Sequence, residues 1–455
     1  MEKREQFGST IGVIAATAGS AIGLGNIWRF PYVTGENGGA AFLLIYIVLM
    51  LGIGVPVMLS EMIIGRKSQS NAIGSFKKLV PQSYWWLIGL MGVFASFIIL
   101  AFYSTVAGWT LHYVYSSVSH NLLGQNYEVF FLDFKDSSLM PVIWHIVFMI
   151  FTVFIVLAGV KKGIEKYTKL LMPLLFLLII ILCLRSVTLP GASKGLEFLF
   201  RPDFSKIDAN AILAALGQAF FSLSIGMGTV ITYASYIQKK ENLGKIALSV
   251  TFADFALALL AGIMIFPAVF AFGIEPSSGP GLVFMTIPSI FEQIPFGNIF
   301  AIIFFLLLAI AALTSSISLL EVVVAYAVEE LNLKRRSATI ISAILATMMG
   351  LFCTLSWSTF KNFNINVASD CDLGGTKTMY FFDMMDFMAS NILLPLGGML
   401  IVIFVGWKLG KKKAIMELSN ENKLKSKLFD LVFFIIKYIA PIAIAFVFLK
   451  GINVI

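Results

Sequence analysis

Apolar runs close to the ~20 residues that cross a bilayer recur eleven times in this chain, at 10–33, 40–63, 84–116, 141–159, 168–184, 209–236, 246–272, 297–328, 337–356, 383–407 and 428–449. Lipid offers no hydrogen bonds to backbone, so such runs fold as helices whose N–H and C=O groups are satisfied internally. With 58% hydrophobic and 13% charged residues over 455 positions, no ordinary water-soluble surface can be assembled. The expected fold is an all-α membrane protein of about eleven transmembrane helices. The net charge of +8 follows topology: Lys3 and Arg4 and the alternate loops 66–78, 161–169, 239–245, 334–336 and 408–427 are basic, whereas the loops between them carry Asp133, Asp136, Glu275 and Glu292. The positive-inside rule then puts the N-terminus in the cytoplasm and Ile455 outside. Nucleic acid is not the partner that this charge implies. A cleaved leader is rejected, because the first run continues into Asn26, Arg29 and Pro31. Three cysteines and three histidines, without metal-ligand spacing, imply neither a disulfide framework nor a metal centre.

Two of the runs are interrupted in the same way. Ile22-Gly23-Leu24-Gly25 lies in the first and Ile225-Gly226-Met227-Gly228 in the sixth. Paired glycines can be mere packing devices, but a break in a membrane helix is tolerated where the backbone lines a cavity. Matching breaks in two halves point to a transporter with its site near the bilayer midplane. Unwinding frees carbonyls, which suit a cation, and amides at a new helix start, which suit a carboxylate.

Three further constellations carry chemistry. On the eighth run Ala311, Thr314, Ser315 and Leu319 share one helix face; the hydroxyls supply hard oxygen ligands for an alkali cation or simply bond back to the preceding turn. Asp254 lies inside an apolar run, where a lone carboxylate costs about 2.5–3.5 kcal/mol; it serves function or sits near a helix end close to Lys245. On the third run Ile99 and Tyr103 share a face, and a buried tyrosine hydroxyl needs a partner from ligand or neighbouring helix.

The string Gly19-Ser20-Ala21-Ile22-Gly23-Leu24-Gly25-Asn26-Ile27-Trp28-Arg29-Phe30-Pro31, followed by Glu36-Asn37-Gly38-Gly39-Ala40-Ala41-Phe42, resembles the first helix of the neurotransmitter:sodium symporter family. The likeness is strongest to its prokaryotic amino-acid transporters, which include a bacterial leucine transporter. Gln218 to Gly228 resembles the family's other broken helix, and the similarity runs from Arg4 to about Trp407. The resemblance implies a five-plus-five inverted repeat, with residues 1–185 and 186–410 as halves and 411–455 as a cytoplasmic linker and eleventh helix.

By the same resemblance one sodium ion takes the carbonyls of Gly19, Ile22 and Ala311 and the hydroxyls of Thr314 and Ser315. A second takes the Ala21 carbonyl, Asn26, Ser222 and Asp254, the last standing where asparagine is usual. A carboxylate there supplies the fixed negative charge that chloride provides in chloride-dependent members. Ala21, Leu24, Gly25 and Ser315 line the substrate site. Tyr103 meets the substrate carboxylate, and the Phe221 and Ser222 carbonyls with the Ser224 hydroxyl meet its ammonium. Ile99, Phe221, Met227 and Leu319 form an apolar side-chain pocket, with Phe221 as its lid. Arg29 and Asp386 resemble the outer gate pair, Arg4 and Glu329 the inner one, and Glu330 serves equally well there. Gly23 stands where monoamine carriers have aspartate, so the substrate brings its own carboxylate.

These readings imply a symporter, not an enzyme, in a prokaryotic cytoplasmic membrane. It couples a neutral hydrophobic L-amino acid to about two sodium ions, without chloride or an organic cofactor. A proton-coupled relative, with Asp254 as proton carrier, and a transporter-like amino-acid sensor are the rival readings.

Overall fold

The computed structural model describes residues 5–273, 281–368, 376–421, 423–424 and 428–454. Among these, nine helices are long and apolar enough to cross a membrane unbroken. They are span two (Ala40–Ser68), three (Trp86–Val118), four (Met140–Leu157), five (Val160–Val187), seven (Leu243–Ala271), eight (Gly297–Glu329), nine (Arg335–Thr354), ten (Phe381–Leu409) and eleven (Leu428–Gly451). Span one is a bent pair, Thr10–Ala21 and Gly25–Glu36, whose halves meet at 55°. Span six is likewise two pieces, Ala209–Ser222 and Thr229–Ala234. The total matches the eleven apolar runs.

Local chemistry sets both breaks. The first half of span one starts at Ser9, whose side chain accepts from the Gly12 amide, and stops where Ile22 turns extended, with ψ 109°. The first half of span six starts at Asp208, which accepts from the Ala211 amide. It ends before a segment in which Ser224, Gly226 and Gly228 all have positive φ. At Gly226 a Cβ would also fall 2.4 Å from the Leu394 carbonyl oxygen of span ten. Conformation and space both require glycine there.

Spans three and eight, 33 residues each, lie side by side as the scaffold. Both helices are rich in small buried residues, among them Ala95, Ser96, Ala101 and Ser104 in span three and Ala311, Ala312, Ser315 and Ser316 in span eight. Small side chains let membrane helices approach closely, where dispersion and interhelical hydrogen bonds hold them.

The loops carry more structure than their composition suggests. Residues 119–140 contain the helix Tyr127–Asp136, capped by Asn126. Its Phe131 stacks within 5.4 Å of both Trp109 and Phe284, and Tyr127 donates a 2.6 Å hydrogen bond to Glu292. The apolar positions 127, 131 and 134 recur at helical spacing, a signal outweighed by the polar count around them. Residues 357–378 contribute strand β1 (Asn364–Ala368), which pairs antiparallel with β2 (Thr376–Tyr380), so the chain is not helical throughout. Asp370, Cys371, Gly374 and Gly375 of that loop lie outside the described residues.

Candidate functional site

The two breaks face each other across a small cavity of about 30 Å³. Ser20, Ala21, Gly23, Gly25 and Asn26 line it from span one, and Ile99 and Tyr103 from span three. Span six supplies Phe221, Ser222, Ser224 and Met227, and span eight supplies Ser315, Ser318 and Leu319. Every residue expected at the substrate site lines this cavity except Leu24, whose amide donates to the Tyr103 hydroxyl at 3.0 Å. Tyr103 thus stands at the amide side of the first break. Ile99, Phe221, Met227 and Leu319 supply the apolar wall, and the Ser96 hydroxyl fixes Met227 by donating to its carbonyl at 2.6 Å. Ser20 and Ser318 were not expected; their hydroxyls are 2.8 Å apart across spans one and eight. No sequence signal set them apart from helix serines bonded to their own turn.

A carboxylate cluster closes one side of the cavity. Ser222 donates to both Asp254 oxygens at 2.9 and 2.7 Å, and the Asn26 amide donates to Asp254 Oδ1 at 2.7 Å and to Ser222 Oγ at 3.0 Å. All three are fully or almost fully buried. Asp254 therefore sits inside the bundle beside both breaks, away from a helix end. Only neutral donors meet its carboxylate among the described residues.

On the opposite side, Ser315 points out of span eight toward the carbonyls of Gly19, Ser20 and Ile22, at 3.4, 3.4 and 3.1 Å. Thr314 behaves differently. Its hydroxyl bonds back to the Ile310 and Ala311 carbonyls at 3.3 and 3.0 Å. Its Cβ nevertheless borders Gly19, where an added Cβ would lie 3.3 Å away. The expected ligand atoms of Gly19, Ile22, Ala311, Thr314 and Ser315 thus belong to one junction of spans one and eight. On the ammonium side, Ser224 Oγ donates to the Ser20 carbonyl at 2.9 Å, while the Phe221 carbonyl accepts from the Ser224 amide at 3.2 Å.

Sequence reasoning missed Glu61. This buried carboxylate of span two accepts the Gly226 amide at 2.7 Å and so holds the unwound segment of span six. The signal was available, since Glu61 lies in the apolar run 40–63 as Asp254 lies in its own. Gln218, also unforeseen, reaches the Gly25 carbonyl at 3.4 Å.

At the acidic end of the bundle the Arg29 guanidinium rests 4.7 Å from the centre of the Phe221 ring. The same ring closes on Gly25, where a Cβ would fall 2.7 Å from Phe221 Cε1. Asp386, the carboxylate facing Arg29, accepts from Ser390 at 2.9 Å. At the basic end Glu329 accepts from Ser70 Oγ, the Asn71 amide and Asn71 Nδ2 at 3.0, 2.8 and 3.1 Å. Glu330 pairs with Lys77 at 2.5 Å, and Arg4 lies outside the described residues. A second network was not anticipated: Arg335 and Tyr236 converge on the buried Glu321, at 2.7 Å each, and Phe7 packs edge-on against Tyr236.

The model of the sodium:neurotransmitter symporter family matches residues 4–133 and 127–455. An uncharacterized sodium-dependent transporter, YhdH, of Bacillus subtilis is 42% identical, over 100% of this chain and 99% of its own length. One from Haemophilus influenzae is 36% identical, over 99% and 98%. The crystal structure of MhsT in complex with L-phenylalanine is 47% identical and superposes with a TM-score of 0.88, covering 99% of this chain and 100% of that one. Eleven spans, two facing breaks and these likenesses over the whole length agree: the chain is a sodium-coupled membrane transporter and belongs to the sodium:neurotransmitter symporter family.

Proposed function

We propose that the chain is a symporter of neutral hydrophobic L-amino acids that binds one amino acid and two sodium ions between its broken spans. The carrying observation is the cavity itself, apolar at Ile99, Phe221, Met227 and Leu319 and polar at the two breaks. The substrate carboxylate is met by the Tyr103 and Ser315 hydroxyls, which crowd Gly23 so closely that a Cβ there would fall 2.8 and 2.6 Å from them. Its ammonium turns to the carbonyls of the span six break. An aspartate at position 23 would displace both hydroxyls; glycine leaves them to a ligand's own carboxylate. MhsT, which was crystallised with L-phenylalanine, supports this substrate class.

One sodium ion is assigned to Gly19, Ile22, Ala311, Thr314 and Ser315, the other to the Ala21 carbonyl, Asn26, Ser222 and Asp254. The ions neutralise a buried carboxylate and the free ends of span one, so filling the ion sites and closing Phe221 under Arg29 favour each other. Residues 1–185 and 186–410 act as the two halves that rock about the site, with 411–455 outside them. Arg29 with Asp386 and Arg4 with Glu329 close the two sides in turn. Because Asp254 supplies a fixed negative charge, chloride is not needed. The basic loops face the cytoplasm of a prokaryotic cell, and the N-terminus lies on that side.

The test is uptake of radiolabelled phenylalanine into proteoliposomes under an imposed sodium gradient, with competition by other amino acids and by amines. Leucine, tyrosine or tryptophan should compete, and lysine, glutamate and phenethylamine should not. Competition by the charged compounds alone would overturn the pocket assignment.

A further inference from the structure

We propose that the seam between spans ten and eleven, at the basic end of the bundle, binds the headgroup of an anionic phospholipid through Lys437. At this seam the two helices touch: a Cβ on Gly406 of span ten would fall 3.0 Å from Lys437 Cα. The bare glycine lets the Lys437 backbone rest on span ten and sends its side chain along the outer groove. The ammonium lies 5.0 Å from the centre of the Tyr438 ring and 6.0 Å from that of Trp407. Trp407, Phe434 and Tyr438 are each about half exposed, at 52%, 50% and 47%, on the lipid-facing surface. Tryptophan and tyrosine in that position sit at headgroup level.

Lys437 meets no anion among the described residues. Among the described residues it makes neither a hydrogen bond nor an ion pair; its only recorded partners are the two rings. Asp430, on the same helix, is engaged by Lys411 at 2.8 Å, and Glu417 by Arg66 at 2.6 Å. Lys437 lies seven residues beyond Asp430, about 10 Å further along the helix. An ammonium at that depth is costly without a partner, and a long stem lets it snorkel toward phosphate. Exposed Lys408, Lys411, Lys412 and Lys413 crowd the same end, so the local field has an uncompensated positive sign. A zwitterionic headgroup carries its own cation; an anionic one brings the net charge that the seam lacks. The occupant is therefore an anionic phospholipid of the surrounding leaflet, and the assignment does not depend on which amino acid is transported.

The full chain, purified in detergent and supplied with equal amounts of phosphatidylglycerol and phosphatidylethanolamine, is read by native mass spectrometry for retained lipid. The preference for phosphatidylglycerol should fall about fivefold in Lys437→Met, the effect of one lysine near an anionic surface, and persist in Lys437→Arg. A control, Lys334→Met with Arg336→Met, removes exposed charge elsewhere on the basic end and should leave the preference unchanged. Equal retention in Lys437→Met and wild type, or an equal loss in the control, would overturn the proposal. A second measurement needs no lysine variant: brominated phosphatidylglycerol should quench the Trp407 contribution, the difference between wild type and Trp407→Phe, more than brominated phosphatidylethanolamine does. Equal quenching by both refutes the site. Sodium-dependent phenylalanine binding on the same samples reports separately on the transport reading.

Discussion

Gly23→Ala is the sharpest perturbation of the central cavity, because it adds one carbon where the structure has room for none of its own. The backbone at Gly23 has no left-handed φ, so alanine meets no conformational obstacle. The obstacle is spatial: the new Cβ would stand 2.6 Å from Ser315 Oγ and 2.8 Å from Tyr103 OH. Neither atom can retreat freely. Ser315 reaches the carbonyls of Gly19, Ser20 and Ile22, and Tyr103 holds the Leu24 amide. Overfilling a packed site costs about 1–3 kcal/mol, which is about five- to 150-fold if it falls on ligand binding. We expect phenylalanine affinity at saturating sodium, measured by calorimetry on purified protein, to weaken within that range. Gly52→Ala is the control, since a Cβ there meets nothing within 4 Å; it should bind as wild type. Unchanged affinity in Gly23→Ala would refute the placement of the substrate carboxylate over this glycine.

Replacing Thr314 and Ser315 together by alanine should raise the sodium concentration needed for half-maximal binding, with Ser315→Ala alone giving most of the effect because its hydroxyl already faces span one; wild-type sodium dependence in the double variant would displace that ion site. Exchanging chloride for gluconate at constant sodium should leave uptake unchanged, whereas Asp254→Asn should depress it; a strong chloride requirement in the wild type would contradict the fixed-charge role. Asp386→Asn should slow turnover with expression intact, since a pair near the surface contributes only about 0–1 kcal/mol to folding; transport at the wild-type rate would remove the outer latch. At Asp208 the accepted amide bonds hold the carboxyl below its ordinary range. That cap persists above the usual aspartate pKa and is lost as pH falls through the lowered value. Hydrogen exchange at residues 209–213 should accelerate in that acid window for wild type, while Asp208→Ala should be fast at all pH.

The broken spans were legible because a glycine pair inside an apolar run has few uses in lipid, and Asp254 because an isolated carboxylate there needs a reason. The serine face of span eight was only half legible. Spacing put Thr314 and Ser315 on one side, but rotamers sent one hydroxyl to its own helix and the other to span one. Spacing does not encode that choice. The helix Tyr127–Asp136 was hidden by its polar neighbours, and its stability comes from Trp109 and Phe284, which are remote in sequence. Pairings such as Arg66 with Glu417, or Glu321 with Arg335 and Tyr236, join segments that no local pattern relates.

Span two meets span six twice within one turn. Glu61 accepts the Gly226 amide, and Gly65, four residues on, admits the Ile231 carbonyl so closely that a Cβ would fall 2.1 Å from its oxygen. A wheel clamped to its axle at two points can turn only with it. The second half of span six therefore cannot slide or roll on span two without losing a buried bond or opening a gap of atomic width. Any motion that uncovers the cavity from the basic side must carry both helices together, or take its freedom from the first half of span one, whose start is tied to Glu165 through the Gly8 amide and the Ser9 hydroxyl and to the Tyr236 carbonyl through the Phe7 amide. The coupling of spans two and six thus rests on one buried carboxylate at position 61 and one missing side chain at position 65.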